Sequence, residues 1–171
     1  MSNYENLEPT EVEVPQILAA QVPGRSGADP ASISEAMGRT FGTLMAFMGQ
    51  HGFSCSGPPR AIYTAYGAEG VEFIVVMPLA APPVGPVPDG PGTPKVGTIP
   101  GGKALRFTHR GPYRELMKTY GQVTQYMQAK GMLANEADWA RYMPMWEEYL
   151  NDPCMTPEAD LLTYIYVPLR A

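Results

Sequence analysis

Cysteine and histidine are scarce in this chain, with two of each among 171 residues. Cys55 and Cys154 lie far apart in the sequence, without the close spacing of metal ligands, and two histidines do not make a zinc set. We therefore expect reduced thiols, no metal, no cofactor and a cytoplasmic location. Positive charge is also in deficit, and the net charge of −5 argues against nucleic acid or an anionic membrane as the main partner.

Long apolar runs are missing as well. No stretch is long enough to span a bilayer, and the start of the chain lacks a basic segment followed by an apolar one. The sequence therefore predicts neither a transmembrane helix nor a signal peptide. At this length we expect residues 1–171 to form a single domain.

What the chain does contain is an aromatic and methionine-rich strand that carries two adjacent acids, Glu147 and Glu148. This strand is predicted to open at Trp139 and to stop at residues 151–153, Asn-Asp-Pro. Because side chains alternate along a strand, the two acids point to opposite faces. Whichever face turns inward buries one carboxylate among apolar groups, which is costly unless a partner compensates the charge. We expect a ligand to be that partner. The alternation alone does not choose between the two acids.

Other elements follow from periodicity and turn signals. A capping box at residues 32–35 starts a helix that Gly52 ends, and Pro112 starts a second helix that Gly131 ends. Residues 80–100 are rich in proline and glycine, which predicts an extended connector. The remaining strands are predicted at residues 11–21, 60–66, 71–77, 101–110 and 161–167.

The chain also repeats itself. Phe41, Leu44, Phe47, Met48 and Gly52 match Tyr120, Val123, Tyr126, Met127 and Gly131 at one constant offset. The pattern predicts two strand-helix-strand-strand halves, at residues 11–79 and 101–169. We expect an α+β fold in which one curved antiparallel sheet carries two helices on one face, with a ligand cleft at the pseudo-twofold axis.

Several motifs resemble the GyrI-like small-molecule-binding domain, which also forms the effector-binding half of AraC- and MerR-type multidrug regulators. The similarity extends over about residues 11–169, and no helix-turn-helix precedes it, so the chain resembles the stand-alone members. The matching pieces are Gly101-Gly102-Lys103, His109-Arg110-Gly111-Pro112-Tyr113, Trp146-Glu147-Glu148-Tyr149-Leu150-Asn151-Asp152-Pro153 and Tyr164-Ile165-Tyr166-Val167-Pro168-Leu169.

The resemblance implies a cleft lined by aromatic residues, with one glutamate at its base that faces lipophilic cations. It selects Glu147 over Glu148 as that glutamate. Trp146 is expected to face away from Glu147, and His109 to order the turn into the second helix. The repeat favours Tyr63 and Tyr149 as wall residues because it places them at symmetry-related positions. The candidate walls are Tyr63, Tyr66, Phe107, Tyr113, Trp139, Tyr142 and Tyr149.

Two classes of function follow from this resemblance. The first is a receptor or sequestering protein for amphipathic, often cationic, small molecules. The alternative is a hydrolase that opens cyclopropane-containing genotoxins, with Glu147 as general base and Trp139 or Tyr149 positioning the substrate. A third class, a protein that inhibits DNA gyrase, is supported only by the acidity of the chain. An exposed edge strand at either end of the sheet is able to support a homodimer.

Overall fold

A computed structural model of the chain describes residues 8–87 and 94–169. The described residues form an α+β fold built on one eight-stranded antiparallel sheet. Its strands are β1 (Thr10–Val14), β2 (Ile17–Ser26), β3 (Arg60–Gly67), β4 (Gly70–Pro78), β5 (Lys95–Ile99), β6 (Gly102–Arg110), β7 (Met145–Tyr149) and β8 (Leu162–Pro168). Across the sheet they run in the order β1-β6-β8-β7-β3-β4-β2-β5.

The first helix, α1, spans Pro30–His51. The Asp29 side chain caps it by accepting a hydrogen bond from the Ser32 amide, and Pro30 occupies the first turn, where no amide donor is needed. The predicted capping box is wrong, because α1 begins at Pro30 and Ser32 lies within its first turn, where the Ser32 hydroxyl donates to Asp29. Gly52 ends α1 with a φ of 66°, as predicted, in the left-handed region that glycine tolerates.

The second helix, α2, spans Leu116–Ala129 and follows a 3₁₀ turn at Tyr113–Glu115 that Pro112 precedes. Gly131, with a φ of 73°, lies just beyond its end. Buried side chains of α2 pack against β6, β7 and β8, whereas α1 packs against β2, β3 and β4.

Both helices cover the same face of the sheet. Residues that pair directly across neighbouring antiparallel strands have side chains on the same face of the sheet. One such row runs across β4, β3, β7 and β8 and consists of Val75, Ala61, Glu147 and Ile165. We call this the helix face. The face that carries Ile62, Val76 and the other alternate positions is the second face.

The strand pairing is consistent with the predicted duplication. β2 pairs with β4 and β4 with β3, while β6 pairs with β8 and β8 with β7, and the two sets join through β3 and β7. Each set also receives an outer strand, since β5 pairs with β2 and β1 pairs with β6. These outer strands give each unit one strand more than the sequence predicted.

The two extra strands come from segments that the sequence analysis interpreted differently. Residues 11–21 were predicted as one strand, but Pro15 has no amide hydrogen for the ladder, and the chain divides there into β1 and β2. Residues 80–100 were predicted as a connector throughout, whereas Lys95–Ile99 forms β5 between Pro94 and Pro100. Residues 88–93 of that connector lie outside the described residues.

The segment before β7 also differs from its prediction. Residues Glu136–Tyr142 form a 3₁₀ helix, because Asn135 and Asp138 satisfy each other's backbone amides in a capping box. The acid-bearing strand therefore begins at Met145, and the prediction that Trp139 opens it is wrong. In the part of the chain that the structure describes, neither helix combines the length and apolar character needed to cross a bilayer.

Candidate ligand-binding site

Glu147 lies at the middle of the sheet, on the strand β7 that joins the two sets of strands. It pairs directly with Ala61 of β3 and with Ile165 of β8, both on the helix face. Only 3% of its surface is exposed. The alternation of β7 therefore fixes a carboxylate beneath the helices, at the place where the two predicted repeats meet.

Phenol hydroxyls surround the Glu147 carboxylate. The Tyr120 hydroxyl of α2 donates to Oε2 at 2.5 Å, and the Tyr149 hydroxyl donates to Oε1 at 2.7 Å. The Tyr63 hydroxyl of β3 is a further hydrogen-bonding neighbour that lowers the pKa of Glu147. Two strands and one helix thus aim neutral donors at a single acid.

Burial outweighs these hydrogen bonds. Desolvation raises the pKa of Glu147 above its usual value, although the phenols of Tyr120, Tyr149 and Tyr63 and the nearby His109 oppose the rise. The same burial, together with the Glu147 charge, raises the pKa of all three tyrosines well above the ordinary phenol value. The phenols therefore stay protonated and act as hydrogen-bond donors at physiological pH.

Ion pairing distinguishes Glu147 from its neighbour Glu148. Among the ion pairs formed by residues 8–87 and 94–169, none includes Glu147. Its neighbour Glu148 is different: the Arg60 Nε lies 3.4 Å from one carboxylate oxygen, and the Tyr166 hydroxyl donates to the other at 3.0 Å. Burial and the adjacent Glu148 raise the pKa of Tyr166 to about 12.

Both acids are buried, with 3% of Glu147 and 8% of Glu148 exposed. The alternation of the strand predicted that one face turns inward and the other stays outside. Because apolar clusters form on both sides of the sheet, each acid instead needs its own partners. Trp146 lies on the second face with Glu148, away from Glu147, as the alternation predicted.

Aromatic rings extend the site outward from the phenols. Tyr149 meets the edge of Phe41 from α1, with centroids 5.9 Å apart, and the edge of Tyr113 from the 3₁₀ turn at 5.5 Å. Tyr63, Tyr113 and Tyr149 are each partly exposed. The structure therefore brings three of the predicted wall residues together around Glu147.

The other predicted wall residues lie elsewhere. Phe107 is fully buried and packs against Tyr126 in the core beneath α2, so it offers no surface to a ligand. Trp139 and Tyr142 pack against that same core, and the Tyr142 hydroxyl donates to the Met132 carbonyl. Tyr66 follows an irregularity in β3 and is 54% exposed, which makes it a rim residue rather than part of the floor.

Two residues of the site were not proposed from sequence. Tyr120 and Phe41 were assigned only to the apolar stripes of their helices, yet one donates to Glu147 and the other packs on Tyr149. A signal was available, because the repeat aligns these two positions and because Tyr120 places a hydroxyl within an apolar stripe. A buried hydroxyl needs a hydrogen-bond partner, and Glu147 supplies one.

His109 orders the chain near the start of α2. Its Nε2 lies 3.0 Å from the Pro112 carbonyl, which can only accept, so Nε2 carries a proton. Its Nδ1 lies 2.6 Å from the Thr119 hydroxyl of α2. Both ring nitrogens are committed to the protein, which is the role predicted for His109 from sequence.

The chemistry open to this site is electrostatic. A buried carboxylate with neutral donors attracts a cation that sheds its hydration cheaply, and an aromatic ring adds attraction where its face meets such a cation. The described residues contain no group of three or more histidines, cysteines and acids placed to hold a metal ion.

Comparisons with known proteins agree with this architecture. A family model described as the GyrI-like small molecule binding domain matches residues 67–170. No curated protein sequence matches the chain.

Solved structures share the fold at low sequence identity. The EcmrR structure, solved in a complex with DNA, has a TM-score of 0.70 at 17% identity over 94% of this chain, which spans only 56% of EcmrR. A hydrolase from Listeria innocua has a TM-score of 0.56 at 15% identity, covering 95% of this chain and 92% of that one. The structure of SAV2435 bound to tetraphenylphosphonium has a TM-score of 0.62 at 9% sequence identity. The match covers 96% of this chain and 94% of SAV2435.

Proposed function

This chain belongs to the GyrI-like small molecule binding domain family, and on that premise we propose that it binds amphipathic, lipophilic cations beside Glu147. In this proposal the domain acts as a receptor or a sequestering protein. The positive charge of the ligand answers the Glu147 carboxylate, and its apolar groups contact the rings of Phe41, Tyr113 and Tyr149.

One observation carries the proposal: Glu147 is buried without a cationic partner among the described residues. Taking a carboxylate out of water costs several kcal/mol. Hydrogen bonds to a charged group return about 1.5–3 kcal/mol each, and burial raises the pKa of Glu147 in spite of its phenol donors. A ligand cation supplies the missing electrostatic stabilisation.

The rings favour a particular kind of cation. A diffuse charge loses less hydration than an ammonium ion, and each suitably placed aromatic face adds about 0.5–2 kcal/mol of cation–π attraction. The structural likeness to SAV2435, which was solved with the lipophilic cation tetraphenylphosphonium, supports the same ligand class.

A fluorescence titration with the cationic dye rhodamine 6G tests this proposal. We expect Glu147→Gln to weaken dye binding by about 30-fold or more, as loss of one partner from a buried charge pair does. Glu72→Gln is the matched control, because it removes an acid whose side chain is exposed. If the dye binds the Glu147→Gln variant as tightly as the parent, the proposed cation receptor is wrong.

A second candidate, hydrolysis of a cyclopropane-containing alkylator, draws support from the raised pKa of Glu147. A raised pKa makes a carboxylate a better general base near neutral pH. Glu147 would take a proton from water while the water oxygen bonds to a cyclopropane carbon. The electron pair of the breaking carbon–carbon bond would pass into a carbonyl conjugated with the ring, and the resulting enolate would take up a proton. Tyr149 would position the substrate. The likeness in fold to a protein described as a hydrolase is compatible with this reaction.

Product analysis distinguishes the two candidates. Incubation with a cyclopropane-containing alkylator, followed by mass spectrometry, detects the ring-opened hydration product. Multiple turnovers that disappear in Glu147→Ala favour hydrolysis over binding. If the alkylator is recovered unchanged from protein that binds rhodamine 6G, the hydrolase candidate is wrong.

A further inference from the structure

We propose a second small-molecule site on the second face of the sheet, which takes an aromatic anion such as a carboxylate or sulfonate. It stands apart from the cation site, because β7 separates Trp146 and Glu148 on this face from Glu147 on the helix face. Its anchor residues are Arg60, Trp146 and Arg106.

Trp146 occupies the centre of the second face. It packs against a cluster formed by β1, β6 and β8 and also against a cluster formed by β2, β3, β4 and β5. Its indole stacks on the Tyr166 ring, with centroids 4.9 Å apart and planes 10° apart. Trp146 remains partly exposed, so a flat molecule has access to an aromatic platform.

One buried donor on this platform lacks an acceptor, and a second is poorly satisfied. The Trp146 Nε1 is buried without a hydrogen-bond acceptor among the described residues, and the buried Arg60 Nε faces a Glu148 carboxylate oxygen at 3.4 Å without forming a hydrogen bond. Arg60 as a whole is only 8% exposed. Trp146 of β7 and Arg60 of β3 lie on the same face of neighbouring strands, with Arg60 two residues from the position opposite Trp146. One small ligand is able to contact both side chains at this separation. Buried donors of this kind call for an acceptor such as a carboxylate or sulfonate oxygen.

The charge of the face favours an anion. Although the whole chain is acidic, strand register places more cations than acids on this face. The cations are Arg25, Arg60, Lys95, Arg106 and Arg110, and the acids are Glu72 and Glu148.

Arg106 and Glu148 have opposite effects on an incoming anion. The Arg106 guanidinium lies over the Tyr164 ring, 4.4 Å from its centroid, and remains partly exposed. Glu148 would repel an anion, but its charge is already answered by Arg60 and by the Tyr166 hydroxyl. Arg106 also lies beside the Tyr166 hydroxyl, where its charge opposes the rise in the Tyr166 pKa. Its guanidinium has several donors, so in this proposal it pairs with the anion while the ligand's ring lies on the aromatic platform.

Naphthalene-2-sulfonate is a suitable probe, and its binding can be measured by calorimetry on the full chain. We expect Arg106→Gln to weaken binding about fivefold or more, because it removes a charge-assisted hydrogen bond. In the Trp139→Phe variant Trp146 is the sole tryptophan, so a change in tryptophan emission on titration reports contact at the proposed site.

Two controls separate this site from the cation site. Tetraphenylphosphonium in excess should leave naphthalene-2-sulfonate binding unchanged, and Glu147→Gln should do the same. The Arg60→Gln/Glu148→Gln double variant keeps a neutral, hydrogen-bonding pair and should also weaken the probe. The proposal is overturned if naphthalene-2-sulfonate fails to bind, binds Arg106→Gln and the double variant as tightly as the parent, or is displaced by tetraphenylphosphonium.

Discussion

Glu147 and Glu148 are neighbours in sequence and both are buried, yet the two faces of β7 treat them differently. Glu148 has an arginine, Arg60, on the adjacent strand and a phenol donor. Glu147 has phenol donors and no ion pair among the described residues. The protein therefore supplies its own cation for the Glu148 carboxylate, whereas in our proposal a ligand supplies the cation for the Glu147 carboxylate.

The difference has consequences for stability and for binding. Glu148 belongs to a pair, so removal of its partner leaves an uncompensated buried charge. Glu147 belongs to a site in which the protonated and charged forms compete, because burial raises its pKa. Substitutions near Glu148 should therefore act mainly on folding, and substitutions near Glu147 should act mainly on ligands and protons.

The largest effect is expected for Arg60→Met. This change leaves Glu148 buried without its cation, and breaking a buried pair in this way typically costs about 3–5 kcal/mol of unfolding free energy. Urea denaturation measures the loss, and the Arg60→Met/Glu148→Met double variant should recover much of it. If Arg60→Met alone unfolds at the parent's urea concentration, the ion pair does not stabilise the fold and the contrast between the two acids disappears.

Tyr120→Phe should have the next largest effect. It removes a donor to the Glu147 carboxylate, so the charged form loses about 1.5–3 kcal/mol of stabilisation and the pKa of Glu147 rises further. Titration of the glutamate side-chain carbon by NMR measures the shift. Tyr66→Phe is the control, because Tyr66 is 54% exposed and is not among the groups that shift the pKa of Glu147, so the titration of Glu147 should not change. Equal titration curves in all three proteins would contradict the hydrogen-bond assignment.

The pH dependence of folding should differ between the parent and Glu147→Gln. Native Glu147 holds its proton more tightly than the unfolded chain does, where a glutamate titrates near about 4.3. The free energy of unfolding should therefore fall as pH rises from that value through the raised native pKa, and stay lower above it. Glu147→Gln should lack this fall. Parallel curves from urea melts at several pH values would exclude a raised pKa for Glu147.

Trp139→Phe should have the smallest effect on cation binding. Trp139 packs against the core beneath α2 and meets the edge of Tyr142, with centroids 6.3 Å apart. We expect the rhodamine 6G dissociation constant to change by less than about twofold, a difference of roughly 0.4 kcal/mol. A tenfold weaker affinity for rhodamine 6G in Trp139→Phe would show instead that Trp139 contacts the ligand, as predicted from the sequence.

Local patterns predicted much of this architecture. Helical stripes and glycine stops placed both helices, and alternation placed Glu147 and Trp146 on opposite faces. The strands at β3, β4, β6 and β8 lie within a few residues of their predicted positions. These features depend on periodicity and turn chemistry, which neighbouring residues determine among themselves.

Features that depend on distant residues were harder to predict. The hydrogen bond between Tyr120 and Glu147 joins residues 27 positions apart, and no local pattern encodes it. The pairing of β5 with β2 gives Lys95–Ile99 its strand, although proline and glycine surround it in sequence. The Arg60–Glu148 pair likewise appears only when β3 and β7 are brought into register.

A four-way calorimetric titration tests the central claim most directly. Tetraphenylphosphonium and the neutral triphenylphosphine oxide have similar rings and differ in charge, and each is titrated into the parent and into Glu147→Gln. We predict that the substitution weakens the cation by about tenfold or more and changes the neutral molecule by less than about twofold. Equal losses for both molecules, or no loss for the cation, would contradict the claim that Glu147 is a buried charge awaiting a ligand cation.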